Sequence, residues 1–433
     1  MNIRIDKPLQ GGHVRAIASK SEAHRLLICA ALADRDTFID CAERSQDIDA
    51  TVRCLEASGA AIRHEKNGFF VTPIPHSRSV SQNAKPQSQR RLILDCGESG
   101  STLRFMLPVC GALGIRVSFN MDGRLPTRPL SALCDEMQSH GCTLSEQGSS
   151  PLTCDGRLIN GTYTLPGNVS SQYVSGLMFA LPLLPGDSTI RITGLLESRP
   201  YVDMTLDALR LFGLTIFEEE GRIFRIPGGQ FYRSPLTAHV KGDWSNAAFW
   251  LSAGAIGQSS ITCSGLDPGS RQGDRIIIEL LKRYGAHVAG SGDKVTVSRG
   301  SLHGIEINVE NTPDLVPVLA AVASVSEGKT IIRNAGRLRI KESDRLRTAG
   351  ASLTNLGADI TETEDGLIIK GKKTLAGGET DSFGDHRIAM TAAIISAVCS
   401  GPVLIKNAEA VNKSYPGFFK DFNAALGGKI KEV

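Results

Sequence analysis

Residues 237–298 read TAHVKGDWSNAAFWLSAGAIGQSSITCSGLDPGSRQGDRIIIELLKRYGAHVAGSGDKVTVS, and they hold one complete structural unit. Thr237 to Val240 predicts a strand and the apolar run Ser245 to Ile256 a helix. Ser260 to Ser264 predicts a second strand and Asp274 to Tyr284 a second helix. Gly285 follows it, as expected where the backbone turns left-handed past a helix end. Two further strands around a charged turn reach Ser298, so the order is βαβαββ.

The ending of this unit, a helix stopped by Gly and then a strand pair, recurs along the chain. It appears at Cys54 to Thr72, Met137 to Asp155, Leu209 to Pro227, Leu280 to Ser298 and Leu353 to Lys370. A sixth copy, Phe422 to Val433, stops after its first strand. The helix-ending glycines Gly59, Gly141, Gly213, Gly285, Gly357 and Gly427 lie 82, 72, 72, 72 and 70 residues apart. A polar insert, His76 to Arg90, accounts for the long first interval and predicts a surface loop. Six units of this size divide into two domains of three. Met1 to Ile5 is an unclaimed alternating segment, and pairing it with Lys429 to Val433 completes the sixth unit. The N-terminus then belongs with the C-terminal half. The expected domains are 1–20 with 240–433, and 21–239, with crossovers near 20 and 240 and the candidate site expected in the cleft between them.

Composition agrees with a globular protein of ample core. The 433 residues are 41% hydrophobic and 21% charged, with a net charge of only +3, which gives no global attraction for nucleic acid. No run approaches the ~20 apolar residues of a membrane span. The ten cysteines are never closer than eight positions, which excludes Cys-x-x-Cys metal or redox spacings. They read as small core residues of a cytoplasmic protein.

The charged residues follow the period. First-helix starts fall near Lys20, Gly100, Ser170, Trp244, Pro313 and Asp385, and second-helix starts near Asp47, Arg128, Tyr201, Gly273, Ser343 and Tyr415. Equal phase means equivalent position, so helix N-termini and their cations gather at one end of each domain. Asp95 to Phe105, with Gly100 and Arg104, suits an anion in the same way. Roughly eight cations at such positions suit a ligand bearing several phosphates or carboxylates.

These segments resemble the enolpyruvyl transferases, specifically those acting on shikimate 3-phosphate. The elements are Lys20-Ser21, Gly100-Ser101, Arg128-Pro129, Ser170-Ser171-Gln172, Lys341-Glu342-x-Asp344-Arg345 and Asp385-His386-Arg387, in the same order over the whole chain. The resemblance implies a two-domain, inside-out α/β barrel-like fold. It also implies transfer of the carboxyvinyl group of phosphoenolpyruvate to the 5-hydroxyl of shikimate 3-phosphate, by a monomer, with the herbicide glyphosate competing for the phosphoenolpyruvate site at Gly100. By the same resemblance, Lys20, Ser21, Arg25, Ser170, Ser171, Gln172, Ser198, Tyr201, Asp314 and Lys341 bind shikimate 3-phosphate. Lys20, Gly100, Arg128, Gln172, Arg345, Arg387 and Lys413 bind phosphoenolpyruvate. Asp314 is the candidate base, and Glu342, helped by Lys20, the candidate acid. The cations neutralise the ligands, so neither a metal nor another cofactor is expected.

Three departures accompany the resemblance. Glu98 stands where many members carry Asn, Ile17-Ala18-Ser19 replaces a frequent Pro-Gly, and Arg337 occupies the place of a substrate-facing Asn. The rival within the family is the transferase acting on UDP-N-acetylglucosamine, which presents a reactive Cys before the Arg-Pro pair; Asp122 to Thr127 contains none. A nucleotide P-loop at Gly328-Lys329-Thr330 lacks its first Gly, since Ala323 stands there.

Overall fold

The computed structural model describes residues 1–7, 9–75, 90–424 and 426–433. Residues 76–89 of the expected surface loop lie outside the described residues. The chain divides into two compact units, one formed by Lys20–Val240 and the other by Met1–Ser19 with Lys241–Val433.

Among the described residues each unit holds three four-stranded sheets of one pattern. Leu92–Asp95, Val117–Asn120, Leu152–Gly156 and Cys142–Leu144 lie in that order across one sheet. The first pair is parallel and the others antiparallel. The parallel pair needs a crossover, and the helix Gly100–Leu113 supplies it. All six glycines of the repeat have positive φ, from 68° to 108°. Ile3–Lys7 pairs antiparallel with Lys429–Glu432, Ile3 opposite Glu432, and completes the sixth sheet.

The first strands of two repeats are exchanged. Thr237–His239 pairs with Thr37–Asp40, and the parallel partner of Ile261–Ser264 is Gly12–Arg15. The contiguous unit read at 237–298 is therefore continuous in sequence only. Both strands occupy the same phase of the period, so either meets the parallel-pairing requirement.

Helices form the centre of each unit. Trp244–Ile256, Val316–Ala323 and His386–Ile395 pack on one another, and every residue in them except Ser245 is buried. Helices this apolar all round must be enclosed. The sheets cover them with alternating residues: Lys294–Ser298 buries Val295 and Val297. The outer helix Ile277–Tyr284 buries only Ile277, Leu280, Leu281 and Tyr284, the single stripe of a one-sided helix. Among the described residues no helix is long and apolar enough to cross a membrane.

Candidate active site

In the unit formed by Met1–Ser19 and Lys241–Val433, the starts of the inner helices meet around one guanidinium. Arg345, buried, donates from Nη1 to Asp314 Oδ1, from Nη2 to Glu342 Oε2 and from Nε to Asp385 Oδ2, each at 2.7 Å. Asp385 is the N-cap of His386–Ile395; it also accepts from the Arg387 amide at 2.9 Å and from Ser343 Oγ at 3.1 Å. Arg387 donates to the Asp314 carbonyl at 3.1 Å and to Ser245 Oγ at 2.7 Å, and its Nη2 lies 3.7 Å from Asp314 Oδ2. Lys341 Nζ lies 3.7 Å from Asp314 Oδ1.

The balance of charge here is unequal. Burial pushes the Asp314 carboxyl up, but Lys341, Arg387 and Arg345 overcome it and hold the group well below the usual carboxylate range. Burial pulls Lys341 down to about 8 despite Asp314. Three carboxylates keep Arg345 protonated against its own burial. Lys413 ends the turn Ala408–Lys413, buried, and that turn packs on His386–Ile395.

In the unit Lys20–Val240 the corresponding helix starts are joined by hydrogen bonds. Lys20 Nζ bonds Asp47 Oδ2 at 2.7 Å. A buried chain runs from His24 Nδ1 to Thr51 Oγ1 at 2.7 Å, to Thr102 Oγ1 at 2.6 Å and to Ser99 Oγ at 2.8 Å. Ser99 caps the helix Gly100–Leu113, so the chain ties the Lys20 helix to the Gly100 turn. Burial takes His24 down to about 3, leaving it neutral. Arg25, buried above the Phe105 ring at 5.1 Å, donates to the Ser21 carbonyl (2.6 Å), the Tyr201 carbonyl (2.8 Å) and Thr205 Oγ1 (2.9 Å). Ser198 precedes Tyr201 in the left-handed region at φ 54°, a strained state for a non-glycine.

Close packing sets the second cluster of this unit. Pro108 removes a backbone N–H within Gly100–Leu113, and a Cβ at Gly176 would collide with the Arg104 carbonyl. The two helices can therefore touch, which brings Gln172 Oε1 to Arg104 Nη1 at 3.0 Å and Gln172 Nε2 to Ser101 Oγ at 2.8 Å. Ser170 caps the helix Ser171–Ala180. Arg104 also donates to the Pro129 carbonyl at 3.0 Å. A Cβ at Gly100 would stand 2.5 Å from Arg104 Nη1 and 2.8 Å from Arg128 Nη1, so the Arg128 guanidinium lies directly over Gly100. The Glu98 carboxylate lies against Gly123, in the loop before Arg128, where it leaves no room for a side chain.

Comparison with known proteins decides the family. The sequence matches EPSP synthase (3-phosphoshikimate 1-carboxyvinyltransferase) over residues 3–422. The chain belongs to the EPSP synthase family. The 3-phosphoshikimate 1-carboxyvinyltransferase of Clostridium kluyveri is 45% identical over 422 residues, covering 97% of this chain and 96% of that one. That of Clostridioides difficile is 41% identical over 433 residues, covering 100% and 98%. Among solved structures, EPSP synthase from Acinetobacter baumannii has a TM-score of 0.79 at 26% identity over the full length of both chains. The enolpyruvyl transferase NikO of Streptomyces tendae, at 18% identity, shares the fold with a TM-score of 0.77, covering 100% of this chain and 98% of that one.

With the chain placed among the EPSP synthases, its expected site residues fall into two sets. Lys20, Ser21, Arg25, Gly100, Arg128, Ser170, Ser171, Gln172, Ser198 and Tyr201 lie at helix starts of the unit Lys20–Val240. Asp314, Lys341, Glu342, Arg345, Arg387 and Lys413 lie in the other unit. Sequence reasoning missed the residues that hold these in place. Asp47 bonds Lys20, Asp385 bonds Arg345, Ser245 bonds Arg387, and Arg104, read as a charge for ligand, bonds Gln172. Asp47 and Asp385 occupy the phase-matched helix starts, a signal that was available; Ser245 and Arg104 carry none beyond position.

Proposed function

We propose that the protein transfers the carboxyvinyl group of phosphoenolpyruvate to the 5-hydroxyl of shikimate 3-phosphate. The products are 5-enolpyruvylshikimate 3-phosphate and phosphate, in the shikimate pathway to chorismate and the aromatic amino acids. The observation that carries this reading is 45% identity, over 97% of the chain, to a 3-phosphoshikimate 1-carboxyvinyltransferase. We extend it to a monomeric, cytoplasmic enzyme of the family that glyphosate targets; its ten cysteines are free thiols, as suits a reducing compartment.

Two sets of residues serve one pair of substrates. Shikimate 3-phosphate is bound by Ser21, Arg25, Ser170, Ser171, Ser198, Tyr201 and Lys341, and phosphoenolpyruvate by Arg128, Arg345, Arg387 and Lys413. Lys20 and Gln172 serve both. Gly100 lets the ligand reach the backbone beneath Arg128. In the addition step the 5-oxygen bonds to C2 of phosphoenolpyruvate, Asp314 takes the hydroxyl proton, and Glu342 with Lys20 delivers a proton to C3. The tetrahedral intermediate then loses a proton from C3 and breaks the C2–O bond to phosphate.

The free-state geometry supports these roles through competition for cations. Asp314 is held too acidic by Lys341, Arg387 and Arg345 to be an effective base. Anionic substrates draw on the same three cations, which raises the Asp314 pKa when both are bound. Glu342 is released from Arg345 by the same exchange. Substrate binding thus switches on the proton-transfer groups.

Phosphate release tests the reading. It is expected from phosphoenolpyruvate with shikimate 3-phosphate and not with UDP-N-acetylglucosamine; no release with the first contradicts it.

A further inference from the structure

Carboxylates pair with the cations of this unit, and one buried carboxylate near them, Asp274, has no role in the chemistry above. It sits in the turn Gly273–Ile276, 2% exposed, and neither of its oxygens makes a well-formed hydrogen bond. The groups that act on it electrostatically are Asp314, Arg387, the Ser245 hydroxyl and Asp243. Arg345, Glu342 and Lys341 lie one contact further away, around Asp314.

We propose that Asp274 is a positioning residue: acting through Ser245, it holds the Arg387 guanidinium in the orientation that presents it to phosphoenolpyruvate. This rests on the reading of Arg387 as a phosphoenolpyruvate ligand. The hydrogen-bond inventory supports it. Arg387 Nη2 donates to Ser245 Oγ at 2.7 Å, which uses a lone pair of that oxygen and leaves the O–H hydrogen to be donated. An ionised carboxylate accepts only, so Asp274 is the complementary group. Its turn is fixed against the helix that carries Ser245. Trp244 N donates to Gln272 Oε1, and Gln272 Nε2 donates to the Gly242 carbonyl, both at 2.9 Å.

A second carboxylate behind Arg387 has a function that Asp314 cannot fill. Asp314 also attracts Arg387, but it takes up a proton in the addition step, and its attraction lapses at that moment. Asp274 takes no part in the proton transfers and keeps Arg387 in place through the cycle. Keeping a buried carboxylate without good hydrogen bonds is costly to the fold. Burial and Asp314 accordingly push Asp274 up to about 6.

The sign of that shift makes the test sharp. Between the ordinary value of 3.8 and about 6 the native state binds more protons than the unfolded chain, so stability falls as pH rises through this window. Asp274→Asn in the full chain is expected to melt above wild type at pH 8 and level with it near pH 4. At pH 8 its KM for phosphoenolpyruvate should rise about tenfold while that for shikimate 3-phosphate moves less than about threefold. As pH falls through 6 wild type should lose the same advantage, so the ratio of the two phosphoenolpyruvate KM values should approach one. Ser245→Ala should shift the same KM in the same direction, and the double variant should add little to Asp274→Asn.

A merely structural carboxylate gives the reverse: a lower melting temperature and similar losses for both substrates. That result, or an unchanged KM for phosphoenolpyruvate in active Asp274→Asn, overturns the proposal. If Asp274→Asn does not fold, Ser245→Ala decides alone, an unchanged KM overturning the proposal. Absence of turnover in wild type defeats the parent reading and this one with it; turnover with an unmoved KM defeats only the positioning role.

Discussion

Arg345 and Asp385 form a buried, two-point pair, with Nε donating to Oδ2 at 2.7 Å and Nη2 reaching Oδ1 at 3.4 Å. The same Asp385 caps the helix that begins with His386 and Arg387. One carboxylate therefore fixes the direction of one guanidinium proposed to bind phosphoenolpyruvate and the start of the helix carrying another. Asp385→Asn keeps the shape but removes the charge that compensates Arg345. The expected loss is about 3 kcal/mol of stability in urea unfolding. Transition-state stabilisation should fall by about 2 kcal/mol, roughly 30-fold in kcat/KM for phosphoenolpyruvate. Wild-type stability in this variant would mean that Asp314 and Glu342 suffice to hold Arg345.

Gly100→Ala isolates a different contact. The added methyl meets Arg104 and Arg128, but Arg104 is pinned by Gln172 and the Pro129 carbonyl, so Arg128 is the group that yields. The fold has little reason to respond, because the neighbours are ends of long side chains. Steady-state kinetics should show the KM for phosphoenolpyruvate rising about tenfold with a smaller change in kcat. A melting temperature lower by more than about 5 °C would show that the methyl disturbs packing instead.

Lys341 gives a pH dependence with a definite sign. Its free-state value of about 8 leaves it charged below that pH and neutral above it. If its cation binds shikimate 3-phosphate, kcat/KM for that substrate falls as pH rises through 8. Lys341→Arg, which stays charged, should lose this basic limb even if its maximal rate is lower. A limb unchanged in the variant would assign the titration to another group.

Much of this architecture could be read from residue order alone, because a 72-residue period fixes which segments are equivalent. The glycines from Gly59 to Gly427 marked every outer helix end, and all adopt the expected left-handed backbone. Pairing of Ile3–Lys7 with Lys429–Glu432 followed from counting strands. Exchange of Gly12–Arg15 and Thr237–His239 did not, since a period specifies phase and not partner. The candidate site residues at helix starts were visible for the same reason. Of their supports, Asp47 and Asp385 share that phase, but Asp274 and Ser245 owe their significance to a turn folded against a helix, and Gly176 to an approach that Pro108 permits.

The central claim is addition–elimination, in which C3 of phosphoenolpyruvate is a methyl group for part of the cycle. The direct measurement is proton NMR of the reaction of phosphoenolpyruvate with shikimate 3-phosphate in D2O. The account predicts a carboxyvinyl product, with phosphate, that carries deuterium at its methylene carbon. No product, or product whose methylene keeps only its original protons, would contradict it.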